Sequence, residues 1–368
     1  MINRAKVHFV GSIPLESAED VFRRCSESVG SLVATLPDGE TGSRTGYVIH
    51  VGYTVFRPHP DIVVTSEPLP VDPDHPEEWR SPDQALIPRS FDLSDMWRFR
   101  LKEGVSELHL ETMGYAEAAI ESYQVFRRLR DAGVIPGGVR FQVSLPGAMD
   151  VVGTMVAKPE EAPVFARGYE MGMSRDLARI IEAIPPADLA IQWDTVTNCL
   201  EHEMERVGQQ LPYLAGSGTP TERFRDTVTR FAAQIPSEVG LGLHFCYGSV
   251  GDRHPIDPAD LGVPVKLANE AIDAIDRRVD WVHMPVPQDR DDTAYFEPLK
   301  ELNDQPRLFL GLVHLQDGVE GTVRRIRAAQ QFSNDFGVST ECGFGRRNPA
   351  TIPDLIDVHA RAAEALEP

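Results

Sequence analysis

The feature that most restricts the fold is an alternation. Short β-rich runs ending in Gly, Pro or Asp recur along the chain, and helical patterns follow most of them, as in parallel α/β proteins. The runs are KVHFV (6–10), SLVATL (31–36), RFQVSL (140–145), DLAIQWD (188–194), VGLGLHFC (239–246), VDWVHM (279–284), LFLGLVH (308–314) and FGVST (336–340). Helical patterns, with apolar residues three or four apart, occupy 17–29, 115–132, 161–184, 221–234, 266–277, 294–303, 319–332 and 352–366. Eight of each in this order predict an α/β fold made of a single (β/α)8 TIM barrel over residues 1–368. The exception is a long insertion after the second strand, 41–112, rich in Pro and acidic residues around PLPVDPDHPEEW. Its Trp79, Trp97 and Phe99 argue for a packed, lid-like excursion and against full disorder.

Composition narrows the partners. With 42% hydrophobic and 25% charged residues among 368, the chain reads as an ordinary soluble protein. A net charge of −20 disfavours nucleic acid and acidic membrane surfaces, so the expected partners are small molecules. The opening MINRAKVHFVGSIP holds too brief an apolar run for a signal peptide, and nothing reaches the ~18 apolar residues of a membrane span. A cytoplasmic location follows as the expectation. Cys25, Cys199, Cys246 and Cys342 are scattered, which suits thiols or ligands better than a disulfide framework.

In a barrel of this kind chemistry belongs to the loops leaving the C-terminal ends of the strands. His244 and Cys246 are two apart on a strand and therefore share a face, making half of a metal site. Cys342, after the last strand and beside Gly343 and Gly345, is a third soft ligand at the same mouth, and His283 in WVHMP is a further candidate. Ser12 in GSIP stands at the rim. Asp38 and Glu40 in PDGE suit either a surface turn or a substrate contact. Asp194, closing QWD, suits an amine-orienting or general-base role, or a helix cap. His314 is placed to exchange a proton near neutral pH, and Asp317 to cap the following helix. Glu201, His202 and Glu203 read as a solvated helix face.

Taken in order, these motifs resemble the C-terminal catalytic barrel of the cobalamin-independent methionine synthases and the wider uroporphyrinogen decarboxylase/methionine synthase-like superfamily. GSIP (11–14) is similar to that family's Gly-Ser-Phe-Pro turn, Asp38-Gly39-Glu40 to its His-Gly-Glu, and Gln192-Trp193-Asp194 to the strand bearing its Asp-Glu-Pro. The more specific matches are HFCY (244–247) to its His-Met-Cys-Tyr zinc motif and ECG (341–343) to its Asp-Cys-Gly. The resemblance implies Zn2+ held by His244, Cys246 and Cys342, an amino-acid thiol held by Ser12, Glu40 and Asp194 with Asp38 in the same turn, and His314 as proton donor. The family's glutamate ligand falls on Pro285, which cannot ligate; His283, two residues earlier on the same face, is the expected replacement. No duplicated N-terminal barrel and no folate-binding set is matched. The function implied is zinc-dependent transfer of a methyl or other alkyl group from an alkyl donor to a zinc-activated thiol. Zinc-dependent hydrolysis or carbon–heteroatom cleavage on the same barrel, and non-catalytic zinc or thiol binding, are the alternatives.

Overall fold

The computed structural model describes residues 2–67, 97–211, 218–248, 254–345 and 347–366. Seven parallel strands form its centre: β1 (Thr35–Pro37), β4 (Arg140–Pro146), β5 (Leu189–Thr195), β6 (Gly240–Phe245), β7 (Trp281–Pro285), β8 (Arg307–Gly311) and β9 (Phe336–Val338), paired in that order. Crossover helices cover the sheet: α1 (Ala18–Val29), α3 (Tyr115–Asp131), α5 (Ala162–Ala183), α7 (Pro220–Ala232), α8 (Gly262–Ala274), α10 (Gly318–Ala329) and α11 (Ile352–Glu364). Seven of the eight predicted helical patterns fall on these, because each carries one apolar stripe; the pattern at 294–303 is instead a single α-helical turn (Thr293–Phe296) followed by a 3-10 turn (Glu297–Glu301). In α1, Ser17 caps the start by accepting from the Asp20 N–H, and Val21, Phe22, Cys25 and Val29 are buried.

The first predicted strand, 6–10, is not a regular strand. Val7 makes one parallel bridge to Val338, His8 N–H donates to Val338 and Lys6 N–H to Leu32, both through backbone carbonyls. Beyond Val7 side chains replace the ladder. The carbonyl of Val10 accepts from the Gln142 amide (2.8 Å), the Gln192 amide (2.8 Å) and the Ser144 hydroxyl (2.9 Å), and that of Phe9 from Gln142 (3.0 Å). The sheet is therefore a curled seven-stranded parallel sheet whose two edges are linked through this segment, in keeping with a TIM-barrel-like fold.

Within the insertion, α2 (Tyr47–Val51) leads into a π-helical turn (Gly52–Phe56), and β2 (Ile62–Ser66) pairs antiparallel with β3 (Arg98–Leu101). Trp97 and Phe99 are buried and stack at 6.0 Å. PLPVDPDHPEEW and Trp79 lie outside the described residues.

Two further helices, α4 (Ala148–Met155) and α6 (Thr197–Arg206), follow β4 and β5. The solvated face expected for 201–203 is instead buried. Glu201 pairs with Arg223, Glu203 with Arg206 at 2.6 Å, and His202 bonds the Asn198 carbonyl and the Thr221 hydroxyl. The polar run looks exposed in sequence because its partners lie partly on a different helix, α7. No helix among the described residues is long and apolar enough to cross a membrane.

Candidate metal and substrate site

Parallel register lines up a row of functional side chains. Asp194 on β5 pairs with His244 on β6, and His244 with His283 on β7. Cys246 follows His244 by two residues, and Cys342 lies on the loop after β9. The ligand atoms of His244, Cys246 and Cys342 all lie within 4.8 Å of one another, and the three residues form a group able to hold a metal ion. A tetrahedral zinc with bonds of ~2.0–2.3 Å places its ligand atoms roughly 3.5–3.8 Å apart, so the set needs a contraction of about 1 Å at most. Two thiolates and an imidazole are a soft donor set of the kind that selects zinc.

His283 stands behind this group. Its Nε2 lies 2.9 Å from the Thr340 carbonyl and its Nδ1 2.7 Å from His244 Nδ1. A carbonyl only accepts, so the His283 proton is on Nε2. Burial, with the neighbouring His244 and His8, drives the His283 pKa well below its ordinary value and keeps the ring neutral, leaving Nδ1 as a bare acceptor. His244 must then donate from Nδ1, which turns its Nε2 toward the thiols. Burial opposes charge on His244, but hydrogen bonding to Cys342 and the Asp194 carboxylate outweigh it and raise its pKa. Cys246 Sγ accepts from the Gly248 N–H at 3.2 Å.

Two carboxyl groups face the mouth beside these ligands. Burial pushes Asp194 up to about 7 against the opposing pull of His244 and Gln192, whose amide donates to it at 2.9 Å. Asp194 does not cap α6; the Val196 and Thr197 N–H groups go to Asp150. Burial raises Glu40 well above the carboxylate range, partly offset by the Ser12 hydroxyl that donates to it, and Asp38 and Asp194 push the same way as burial. Glu40 is the one non-glycine with positive φ (49°) among the described residues. Such strain collects where a side chain must be aimed. Asp38 braces that turn, accepting from the Glu40 N–H (2.8 Å), Arg44 (2.8 Å) and the Ser122 hydroxyl (2.7 Å). Ser12 also meets the Cys342 loop: a Cβ on Gly343 would lie 2.9 Å from Ser12 N, so only glycine lets the two loops approach.

His314 sits after β8, with Nε2 donating to the Val286 carbonyl (2.8 Å) and Nδ1 4.0 Å from Glu341. Burial lowers its pKa, against the pull of Glu341. Asp317 makes no cap bond; its carboxylate is gripped by Arg325 at 2.7 and 2.9 Å. Sequence reading passed over His254 and Glu341, which pair at 3.1 Å. No spacing announces that pair, since the two lie 87 residues apart.

No family model and no curated protein matches the sequence. Among solved structures, a B12-independent methionine synthase from Shewanella sp. W3-18-1, in complex with selenomethionine, matches with a TM-score of 0.56 at 12% identity, covering 98% of this chain and 97% of that one. A putative vitamin-B12 independent methionine synthase from Listeria monocytogenes (TM-score 0.48, 11% identity, 98% of each chain) and a methyltransferase from Methanosarcina mazei (0.44, 11%, 99% and 96%) superpose too loosely to bear on the fold. The chain thus shares its fold, over nearly its whole described length, with a methionine synthase-like protein.

Proposed function

We propose that the chain is a zinc-dependent alkyltransferase that moves a methyl or other alkyl group onto a thiol whose carrier also bears an amine. The observation that carries this reading is the meeting of His244, Cys246 and Cys342 at one mouth, beside two buried carboxyl groups. The same reading takes the fold as one (β/α)8 barrel, with 6–10 as its remaining stave, in a reducing cytoplasm that suits four cysteines without a disulfide.

Zinc held by these three side chains would lower the pKa of a thiol entering the remaining position and keep its sulfur nucleophilic at neutral pH. The protein's own part is positioning. Glu40 and Asp194 receive the substrate ammonium; bringing a cation between them favours ionisation of both and fixes the substrate's orientation. Ser12 and Asp38 hold Glu40 in its strained turn, and Gln192 holds Asp194. His283 serves as the orienter of His244 and not as a ligand, since both its nitrogens are taken. His314, whose Nε2–H is held by the Val286 carbonyl, offers Nδ1, the nitrogen turned toward Glu341, as the site that takes up a proton and passes it to the leaving group.

A second reading rests on charge. Two thiolates and a neutral imidazole cancel the charge of Zn2+, and a neutral centre is the better Lewis acid, which suits hydrolysis or carbon–heteroatom cleavage. Zinc content per chain, followed by X-ray absorption at the zinc edge with and without homocysteine, separates the two. A new sulfur neighbour on adding the thiol supports alkyl transfer, whereas an unchanged shell supports the second reading. Absence of metal from protein purified with zinc present sinks both. Asp194→Asn should raise the KM for the amine-bearing substrate by roughly tenfold or more while zinc is retained; lost zinc would refute the role given to Asp194.

A further inference from the structure

The opposite mouth of the sheet, at the N-terminal ends of the strands, holds a cavity of about 490 Å³. This is within the roughly 300–1,000 Å³ of small-molecule sites. Thr35 of β1, Arg140 of β4, Ala190 of β5, Gly240 of β6 and Trp281 of β7 form its floor, with Arg4, Arg278 and Asp280 on its walls. In a chain of net charge −20 this lining is cationic, three guanidinium groups against one carboxylate.

Arg278 is paired with Asp280, so the donors most open to a ligand are those of Arg140 and Arg4. Arg140 spends Nη1 on the carbonyls of Leu189 (3.3 Å) and Glu238 (3.1 Å), which anchors the group. Its Nε and Nη2, and the whole guanidinium of Arg4, have no partner among the described residues. Asp280 is shared: it accepts from the Leu241 N–H at 2.9 Å and stands 3.4 Å from Arg278 and 4.0 Å from Arg277. Small floor residues keep the space open. A Cβ on Gly240 would lie 3.2 Å from both Arg140 Nη1 and Ala190 Cβ, crowding the guanidinium. Several guanidinium forks around one recess are the donor set that matches phosphate oxygens.

We propose that this cavity is a binding site for a small phosphate-bearing anion, separate from the thiolate mouth. Isothermal titration of the intact protein with inorganic pyrophosphate, then orthophosphate, tests it, with tryptophan fluorescence read in parallel because Trp281 lines the floor. Saturable one-to-one binding of pyrophosphate is expected. Added sodium chloride should weaken it, as screening requires. The double variant Arg4→Ala/Arg278→Ala and the single variant Arg140→Gln should each weaken it by about tenfold or more. Arg4 and Arg278 are exposed, so the double variant decides the matter even if Arg140→Gln fails to fold. Absence of saturable binding of either anion up to about 5 mM, below any specific recognition, would overturn the proposal. So would parent-like affinity in the double variant.

Discussion

His283→Phe isolates the role assigned to the second histidine. Phenylalanine keeps an aromatic ring in a fully buried position but removes both ring nitrogens. Two groups lose their partners at once: His244 Nδ1–H, now 2.7 Å from an acceptor, and the Thr340 carbonyl, now 2.9 Å from a donor. Each buried orphan costs about 1–3 kcal/mol, so metal-free protein should unfold at a clearly lower temperature. The larger diagnostic is the metal. A free His244 ring no longer presents Nε2 by default, and loss of such an outer partner costs about 10–100-fold in affinity. Competition for zinc against a chromophoric chelator measures this. Cobalt substitution shows in parallel whether thiolate coordination persists. His283→Gln, whose amide oxygen can accept from His244, should recover most of the affinity. If His283 were itself a ligand, His283→Gln would fail like a cysteine variant. Zinc affinity within about twofold of the parent in folded His283→Phe would refute the tautomer argument.

Three other outcomes follow from the same geometry. Cys246→Ser and Cys342→Ser should each lose stoichiometric zinc and turnover together, since an alcohol is a poor zinc ligand; metal analysis beside an activity assay checks this, and full retention of both would refute the ligand set. Glu40 has its folded pKa raised above the unfolded value of ~4.3, so its protonated form contributes stability fully at about pH 4 that is lost as pH rises through the folded pKa. The melting temperature of metal-free parent protein should therefore fall relative to that of Glu40→Gln between about pH 4 and 8, and a pH-independent difference would contradict it. Gly242→Ala should destabilise by about 1–3 kcal/mol or more, because its Cβ would fall 1.8 Å from the Trp281 ring; denaturant unfolding reads it, and a neutral result would mean that the indole moves freely.

What could be read in the sequence was whatever depends on short-range periodicity. The stripe on α1 and the shared face of His244 and Cys246 need only the helical and strand repeats. The row Asp194–His244–His283 could not be read, because register between strands is set by packing across about forty to fifty residues of intervening helix and loop. For the same reason the bonds of His283 to His244 and Thr340 could not be read: alternation gives its face but not its depth or its neighbours. Segment 6–10 reads as a strand by composition, yet Gln142 and Gln192, polar residues within apolar runs, take over its bonding. Glu201 misled in the opposite sense, its partner Arg223 lying on another helix, whereas Glu203 pairs with Arg206 one turn on and only its burial was hidden.

The side-chain fastening of residues 6–10 bears on how the protein comes off the ribosome. Gln192 grips Val10 across 182 positions and steadies Asp194 with the same amide nitrogen, while Val7 meets Val338 just before the loop of Cys342. A nascent chain that has emerged past Cys246 owns one imidazole and one thiol but no third ligand. Only when the last strand docks against the first residues do all three donors meet. An ion held by the three would then be captured late, tying the central strand β6 to the loop after β9. Chelation of zinc-loaded protein should accordingly loosen amide-exchange protection first around 244–246 and 336–342, before β4 and β5 register any change.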